Sequence, residues 1–444
     1  MSRERVAITR VVEQRLDEAL QRAVGLLGDL GEIVPRNSRV LIKPNFVFAP
    51  TDRGITHPEL VEAVVRLVTE THPKEIVIAE GSADNYTTQS FRFQGTYRTA
   101  ARYGARVVDL NVEEGVKTPV PEELGRPYIM LPRAVVESDV FISLPVFKLW
   151  GSSPLSLSLK NLIGLYGGRY YGYNKDSDER GQELSFYGLP GEVGKELGAH
   201  KPTVAQSICA LNSVVETDLA IIDALEGGDG AGNFLRLDTL IAGRNPVATD
   251  TVALKMTGLE AGDYDIPRLC SERGLGPCRL EEIEVVGERV ANVSFDLHRL
   301  RDNVLEMPLP FCLRLLSTGE LLQIHRALRL YDFLPRDAQP PAERDDLLEV
   351  LDDTLGADHY FGRALAQCNK YVRELLQLII DQGGTSGDMA EIEEAFCEHW
   401  GQSGLYYMPS ARTLMRLGLA YAVDSAARNY YLLPEGMVAA AEGL

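Results

Sequence analysis

The sequence has no run of about 18 apolar residues, so no segment reads as a membrane-spanning helix. Its six cysteines are scattered, at Cys209, Cys270, Cys278, Cys312, Cys368 and Cys397, with no C-x-x-C pair. Free thiols are therefore expected, and an iron–sulfur cluster is not. There is no cluster of lysines and arginines, and the formal net charge is −19. A chain of that sign repels phosphate backbones, so nucleic acid is not an expected partner. G-x-S-x-G is missing, which leaves a hydrolase triad without its usual turn. G-x-x-x-x-G-K-[ST] and a strand-linked G-x-G-x-x-G are missing too, which removes the common phosphate-cradling loops. The opening MSRERVAITR carries no hydrophobic leader, so a cytoplasmic protein without membrane association is expected.

What is present is an ordinary soluble composition, 45% apolar and 25% charged over 444 residues, enough for two or three domains. The charge is uneven. Residues 331–444 hold 19 Asp and Glu against 8 Lys and Arg, a net of −11, leaving −8 for residues 1–330.

Over the first 300 residues, short β-branched runs alternate with helical patterns. RVLIKPNFV (39–47), EIVIAEG (75–81), ARVVDLN (105–111), SDVFISLP (138–145), LAIIDALEG (219–227) and LDTLIAG (237–243) read as buried strands. HPELVEAVVRLVTE (57–70) and the segment from Pro246 to about Met256 read as helices. This alternation predicts an α/β fold, a largely parallel sheet covered by helices on both faces. Residues 1–304 form that domain, with a candidate division into two lobes near 200–218. Residues 305–444 form an acidic, all-helical appendage. There, RALAQCNKYVRELLQLII places Leu365, Cys368, Val372, Leu375 and Ile379 on one helical face.

Ligands of such sheets lie outside the carboxyl ends of the strands. The residues just after each run are polar here: Lys43 and Asn45, Glu80-Gly81-Ser82, Lys148, Asp223 with Glu226. The stretch SLPVFKLWGSSPLSLSLKNLIGLYGG (143–168) adds Lys160 and Asn161 ahead of Gly164, Gly167 and Gly168. Three lysines near apolar runs need anions, and Glu80, Asp109 and Asp223 are the internal candidates. A small carboxylate- or phosphate-bearing substrate is the external one. Lys43, Lys148 and Lys160 are thus candidates for an electrophilic clamp, and Glu80 and His57 for acid–base groups. Thr56 to Glu59 fits a helix capping box, with His57 beside it. Asn45, Gly81, Ser82, Asn161, Tyr170, His200, Asp223 and Glu226 are candidate cofactor or ligand contacts. Tyr170 belongs to GGRYYGYNKD (167–176), which reads either as a lid or as a loop whose tyrosines pack down. Asp223, Glu226 and Asp229, three apart among glycines, offer oxygens to a hard cation as the alternative to a backbone-lined ligand loop.

In this order, LIKPNFV, THPELVEAVVRL, IVIAEG, YGARVVDLN, SDVFISLPVFK, LSLKNLIGL, AHKPTVAQSI, IIDALEGGDGAGN and AGRNPVATDTVA resemble the uncharacterised family known as domain of unknown function 362, over roughly residues 5–290. The resemblance implies an α/β domain. Some members carry an attached ferredoxin-like module, which this chain lacks the clustered cysteines to build. The family's K-x-H reads Lys148-Leu149-Trp150 here, so its histidine is absent. The layout DVFISLPVFK…SLSLKNLIG also resembles the nickel-pincer lactate racemases, a likeness that implies Lys160 as a point of covalent cofactor attachment.

Three functions are carried forward. The first is an enzyme moving a proton at carbon in a small anion, as an isomerase, epimerase, lyase or cyclase. The second is an oxidoreductase with a bound organic cofactor or external electron donor. The third is a non-catalytic binding or assembly protein whose helical tail meets a partner or a second copy.

Overall fold

The computed structural model describes residues 3–13, 15–47, 54–83, 87–125, 127–150, 153–171, 203–228, 234–295, 305–384, 387–400, 406–424 and 429–442. The chain forms two compact units. The first comprises residues up to Val11, Arg15–Gly230 and Thr239–Ala291; the second comprises Val12–Gln14, Ala231–Asp238 and Asn292–Leu444.

Unit 1 is organised by a ten-stranded sheet. Its strands are β1 (Glu4–Arg10), β2 (Arg39–Lys43), β3 (Glu75–Glu80), β4 (Arg106–Asp109), β7 (Val140–Ser143), β8 (Val146–Trp150), β9 (Ser153–Ser156), β10 (Leu219–Gly228), β11 (Phe234–Gly243) and β12 (Ile283–Gly287). The order is β12-β1-β11-β10-β7-β2-β3-β4, with β8 paired to β10 and to β9. β10-β7-β2-β3-β4 run parallel, while β1 meets β11 and β8 meets β9 in antiparallel fashion. β5 (Gly115–Pro119) and β6 (Tyr128–Pro132) make a separate antiparallel ribbon.

Alternation along the central strands explains why both faces are covered. Val40, Ile42, Ile76, Ile78, Val140 and Ile142 enter one apolar cluster with helices α1 (Leu16–Leu27) and α2 (Pro58–Thr69). Leu41, Val77, Ala79 and Phe141 point the other way, into a cluster with Leu162, Ile208 and Leu211. Between Ser143 and Leu157 the chain departs from expectation. Lys148 does not follow the run 138–145 as a loop residue; it lies within a separate strand, β8, which pairs with β9. Likewise Asp223 and Glu226 are not in a glycine loop, because β10 continues to Gly228. The hairpin β8–β9 leads into the single turn α3 (Ser158–Asn161). The predicted helix α4 (Pro246–Met256) is present, with Asn245 accepting from the Ala248 amide as its cap.

Unit 2 is mainly helical, with a small sheet in the order β13 (Glu306–Met307), β15 (Asn429–Pro434), β14 (Tyr421–Asp424). The apolar residues placed on one face of 363–380 are all buried, but across two helices, Tyr360–Gln367 and Lys370–Gln382. Asn369 ends the continuity: its side chain accepts from the Val372 amide and starts a new helix.

Candidate functional site: a lysine-lined cavity at the strand ends

The parallel strands β2 and β3 end side by side at Lys43 and Glu80. Both side chains are buried, and Lys43 Nζ stands 2.8 Å from Glu80 Oε1. The same ammonium donates to the Pro44 carbonyl (3.0 Å) and to Asn161 Oδ1 (3.3 Å). Glu80 is equally engaged. Its Oε1 accepts from the Gly81 amide at 2.7 Å, and its Oε2 from the Phe46 amide at 2.9 Å. Burial lowers the Lys43 pKa from its ordinary value and outweighs the opposing pull of Glu80. A charged pair this deep in protein survives because each charge is met by the other and by further hydrogen bonds. The internal partner foreseen for Lys43 is therefore the one it has.

Asn161 ties this pair to the next lysine. Its Oδ1 accepts from Asn45 Nδ2 (3.0 Å), and its Nδ2 donates to Ser143 Oγ (2.9 Å) and the Lys43 carbonyl (3.3 Å). Asn45 Oδ1 in turn accepts from Lys148 Nζ at 2.9 Å, and Lys148 also donates to the Gly54 carbonyl at 2.7 Å. A cavity of about 60 Å³ is lined by Lys43, Asn45, Glu80, Lys148, Lys160 and Asn161, with Gly81, Gly164 and Ser156 among the remaining wall residues. Lys160 is half-buried at its edge. Three lysines and one glutamate, Glu80, line this cavity.

That volume holds about four to six waters at roughly 10–15 Å³ each. It suits a carboxylate or phosphate group.

Gly164 is where the chain must pass closest. A Cβ there would lie 2.5 Å from Glu80 Oε1 and 2.7 Å from Lys43 Nζ, so only glycine fits against the pair. Gly167 has a similar reason, since a Cβ would lie 2.8 Å from the Leu110 carbonyl. The turn at α3 is fixed from the opposite side by Asp250, which accepts from the Ser158 amide (2.8 Å) and the Leu159 amide (3.0 Å). Burial pushes the Asp250 pKa up to about 7 despite those two bonds.

Other expected contacts lie elsewhere. Ser82 does not line the cavity: its hydroxyl donates to the Phe46 carbonyl and its amide to Thr87 Oγ1. Tyr170 is not a lid residue, because its hydroxyl accepts from the Gly115 amide (3.0 Å); Tyr171, fully buried, accepts from Met130 (2.8 Å). Both tyrosines pack down on the β5–β6 ribbon. Thr56 forms no capping box. Its hydroxyl accepts from the Asn45 amide (2.7 Å) and donates to the Leu144 carbonyl (2.6 Å), stitching the β2 and β7 ends together. His57 caps α2 by backbone alone, and its amide donates to Asp223 Oδ2 at 2.6 Å. His57 Nδ1 is buried with no hydrogen-bond partner among the described residues, and the ring is not part of the cavity wall. Asp223, whose pKa burial raises, also accepts from the Leu225 amide, and neither it nor Glu226 lines the cavity. Among the described residues no group of three or more His, Cys, Asp or Glu gathers as a metal site. His200, Asp229, Tyr173 and Lys175 lie outside the described residues.

Sequence reasoning missed Ser156 and Asp250 as parts of the site. Ser156 carries no sequence signal. Asp250 did: a carboxylate one turn into an otherwise apolar helix invites the question of what it meets.

Residues 40–255 match the model of the family described as Domain of unknown function (DUF362), and the resemblance drawn from the motifs holds over that span. A thylakoid-associated protein of Synechocystis is 23% identical over 295 residues, which are 63% of this chain and 78% of that protein. The lactate racemase apoprotein from Thermoanaerobacterium thermosaccharolyticum is 14% identical, with 54% of each chain covered and a TM-score of 0.33. The chain thus spans about half of that racemase, a likeness from which no function follows. Among the described residues no helix is long and apolar enough to cross a membrane.

Proposed function

We propose that unit 1 is an enzyme that takes a small carboxylate- or phosphate-bearing molecule at the strand ends and moves a proton at one of its carbons. The supporting observation is the convergence of Lys43, Lys148 and Lys160 on one cavity with a single carboxylate in its wall. The hydrogen bonds divide their roles. Lys43 and Glu80 form a neutral floor, their bonding capacity directed at each other and at the backbone. Lys148 and Lys160, whose side chains also line the cavity, are the proposed contacts that hold the anion and stabilise an enolate developing next to it. His57, whose Nδ1 has no hydrogen-bond partner among the described residues, is kept as the proposed acid–base group, with Glu80 in the cavity wall as the alternative.

The occupied oxygens of Glu80 favour a second reading, a protein that binds the anion without transforming it. One experiment addresses both. Native mass spectrometry of the purified protein identifies any co-purifying small acid, and that acid is then incubated in deuterated water and followed by NMR. Enzyme action predicts deuterium at one carbon, lost in His57→Gln with binding retained. In Lys160→Met and Lys148→Met, affinity should fall about tenfold or more per lysine, the scale of a charged hydrogen bond. Binding with no exchange in the wild type supports the second reading. Unchanged affinity in both lysine variants overturns the clamp.

A further inference from the structure

Unit 2 contains a larger cavity, about 240 Å³, which none of the three functions above uses. Its floor is apolar: Leu316 and Ile324 on one side, Met415 and Ala420 on the other. Along one side runs the residue series Ala420 to Ala422, at the start of the edge strand β14. The helix Tyr407–Arg416 places Arg412 and Arg416, one turn apart, on its wall, and both are exposed.

These two arginines are exceptional within the acidic tail. Residues 331–444 hold eight basic side chains, and nineteen acidic ones are there to pair with them. Arg336 bonds Asp332, Arg344 and Arg373 donate to backbone carbonyls, and Arg363 and Lys370 lie over aromatic rings. Arg428 lies outside the described residues. Arg412 and Arg416 alone among the described ones have no hydrogen bond, ion pair or ring contact, although like charges at i, i+4 repel. Both line the same cavity. An anion bridging the two guanidinium forks would offset that repulsion and give both a charged acceptor in place of water.

The facing wall narrows the choice. Glu320, on the helix Thr318–Leu330, directs one oxygen to Ser317 and stands with Gln323 on the cavity's other side. Its charge disfavours a second anionic group on the ligand. A cavity of about 150 Å³ accommodates benzene, so this one has room for a ring or short chain together with its acid group. We infer that this cavity binds a small monocarboxylate with an apolar body, the carboxylate held between Arg412 and Arg416 and the body against Leu316, Ile324 and Ala420.

The test is calorimetric titration of the full chain with 3-phenylpropanoate, its neutral amide and inorganic phosphate. Saturable binding of the carboxylate is expected. It should weaken about tenfold or more for the amide and for Arg412→Gln/Arg416→Gln, the loss of a charged hydrogen bond. Phosphate, lacking the apolar body, should bind more weakly still. Lys160→Met should leave this binding event in place, which separates it from the unit 1 cavity. Circular dichroism of the double arginine variant, altered only on an exposed helix face, should match the wild type. Absence of saturable carboxylate binding at millimolar concentration overturns the inference. So does binding that survives loss of both arginines, or a preference for an acidic peptide over the small acid.

Discussion

Replacing Glu80 by glutamine tests the arrangement at the strand ends most directly. Lys43 Nζ and Glu80 Oε1 are 2.8 Å apart with 1% and 3% of their side-chain surfaces exposed, so water cannot take over either charge. Removing one partner of such a pair costs about 3–5 kcal/mol, because the remaining charge stays buried. The amide also turns an N–H group toward the Phe46 or Gly81 amide, where the carboxylate accepted. Lys43→Met/Glu80→Gln removes both charges and should recover about 2 kcal/mol relative to the sum of the single variants, the range of coupling for residues in contact. The assay is urea unfolding in a Trp400→Phe background, where Trp150 of unit 1 is the remaining tryptophan. The pH dependence has a definite sign. Folded Lys43 loses its proton below its ordinary value of 10.5, and more readily once Glu80 is gone. Over the interval up to 10.5 the unfolded chain binds more protons than the folded one, so stability rises with pH. The deficit of Glu80→Gln should therefore shrink from neutrality toward pH 10. A deficit below about 1 kcal/mol, or one unchanged over that range, would refute the claim that this pair forms the floor of the site.

Gly164→Ala puts a methyl group 2.5 Å from Glu80 Oε1 and should cost about 1–3 kcal/mol by overpacking, with anion affinity falling in parallel; a wild-type unfolding midpoint would contradict the close approach. Asp250 supplies a second pH signal of opposite sense. Its pKa rises from 3.8 to about 7, so between those values the folded state holds the extra proton and stability falls as pH rises. Asp250→Asn should lose that slope, together with about 1–3 kcal/mol from a mismatched donor facing the Ser158 or Leu159 amide. Denaturation curves at pH 5 and pH 8 for both proteins decide it, and an identical slope would remove Asp250 from the account.

How much of this was legible beforehand depends on whether the relevant interaction is local. Runs such as RVLIK and EIVIAE announce buried strands because continuous apolar character is what two-sided burial requires. Asn245-Pro246 announces a helix start because cap and first turn are neighbours in sequence. Polar residues at strand ends announce a cleft, since packing does not call for them there. The capping box at Thr56 to Glu59 failed although its spacing is right, because Thr56 Oγ1 bonds Asn45 and Leu144, and Leu144 is 88 residues away.

The sequence by itself settled the layered α/β architecture and the acidic character of the tail. Both follow from periodicity and composition. Only the tertiary structure decided the partners of the lysines, for Lys43 meets Glu80 across adjacent strands and Lys148 meets Asn45 across 103 residues. It alone revealed that Gly164 lies against that pair, and that Arg412 and Arg416 share a cavity with Glu320 on its facing wall. Hydrogen-bonding partners are set by proximity in space, and a pattern along the chain records only which side of an element is buried.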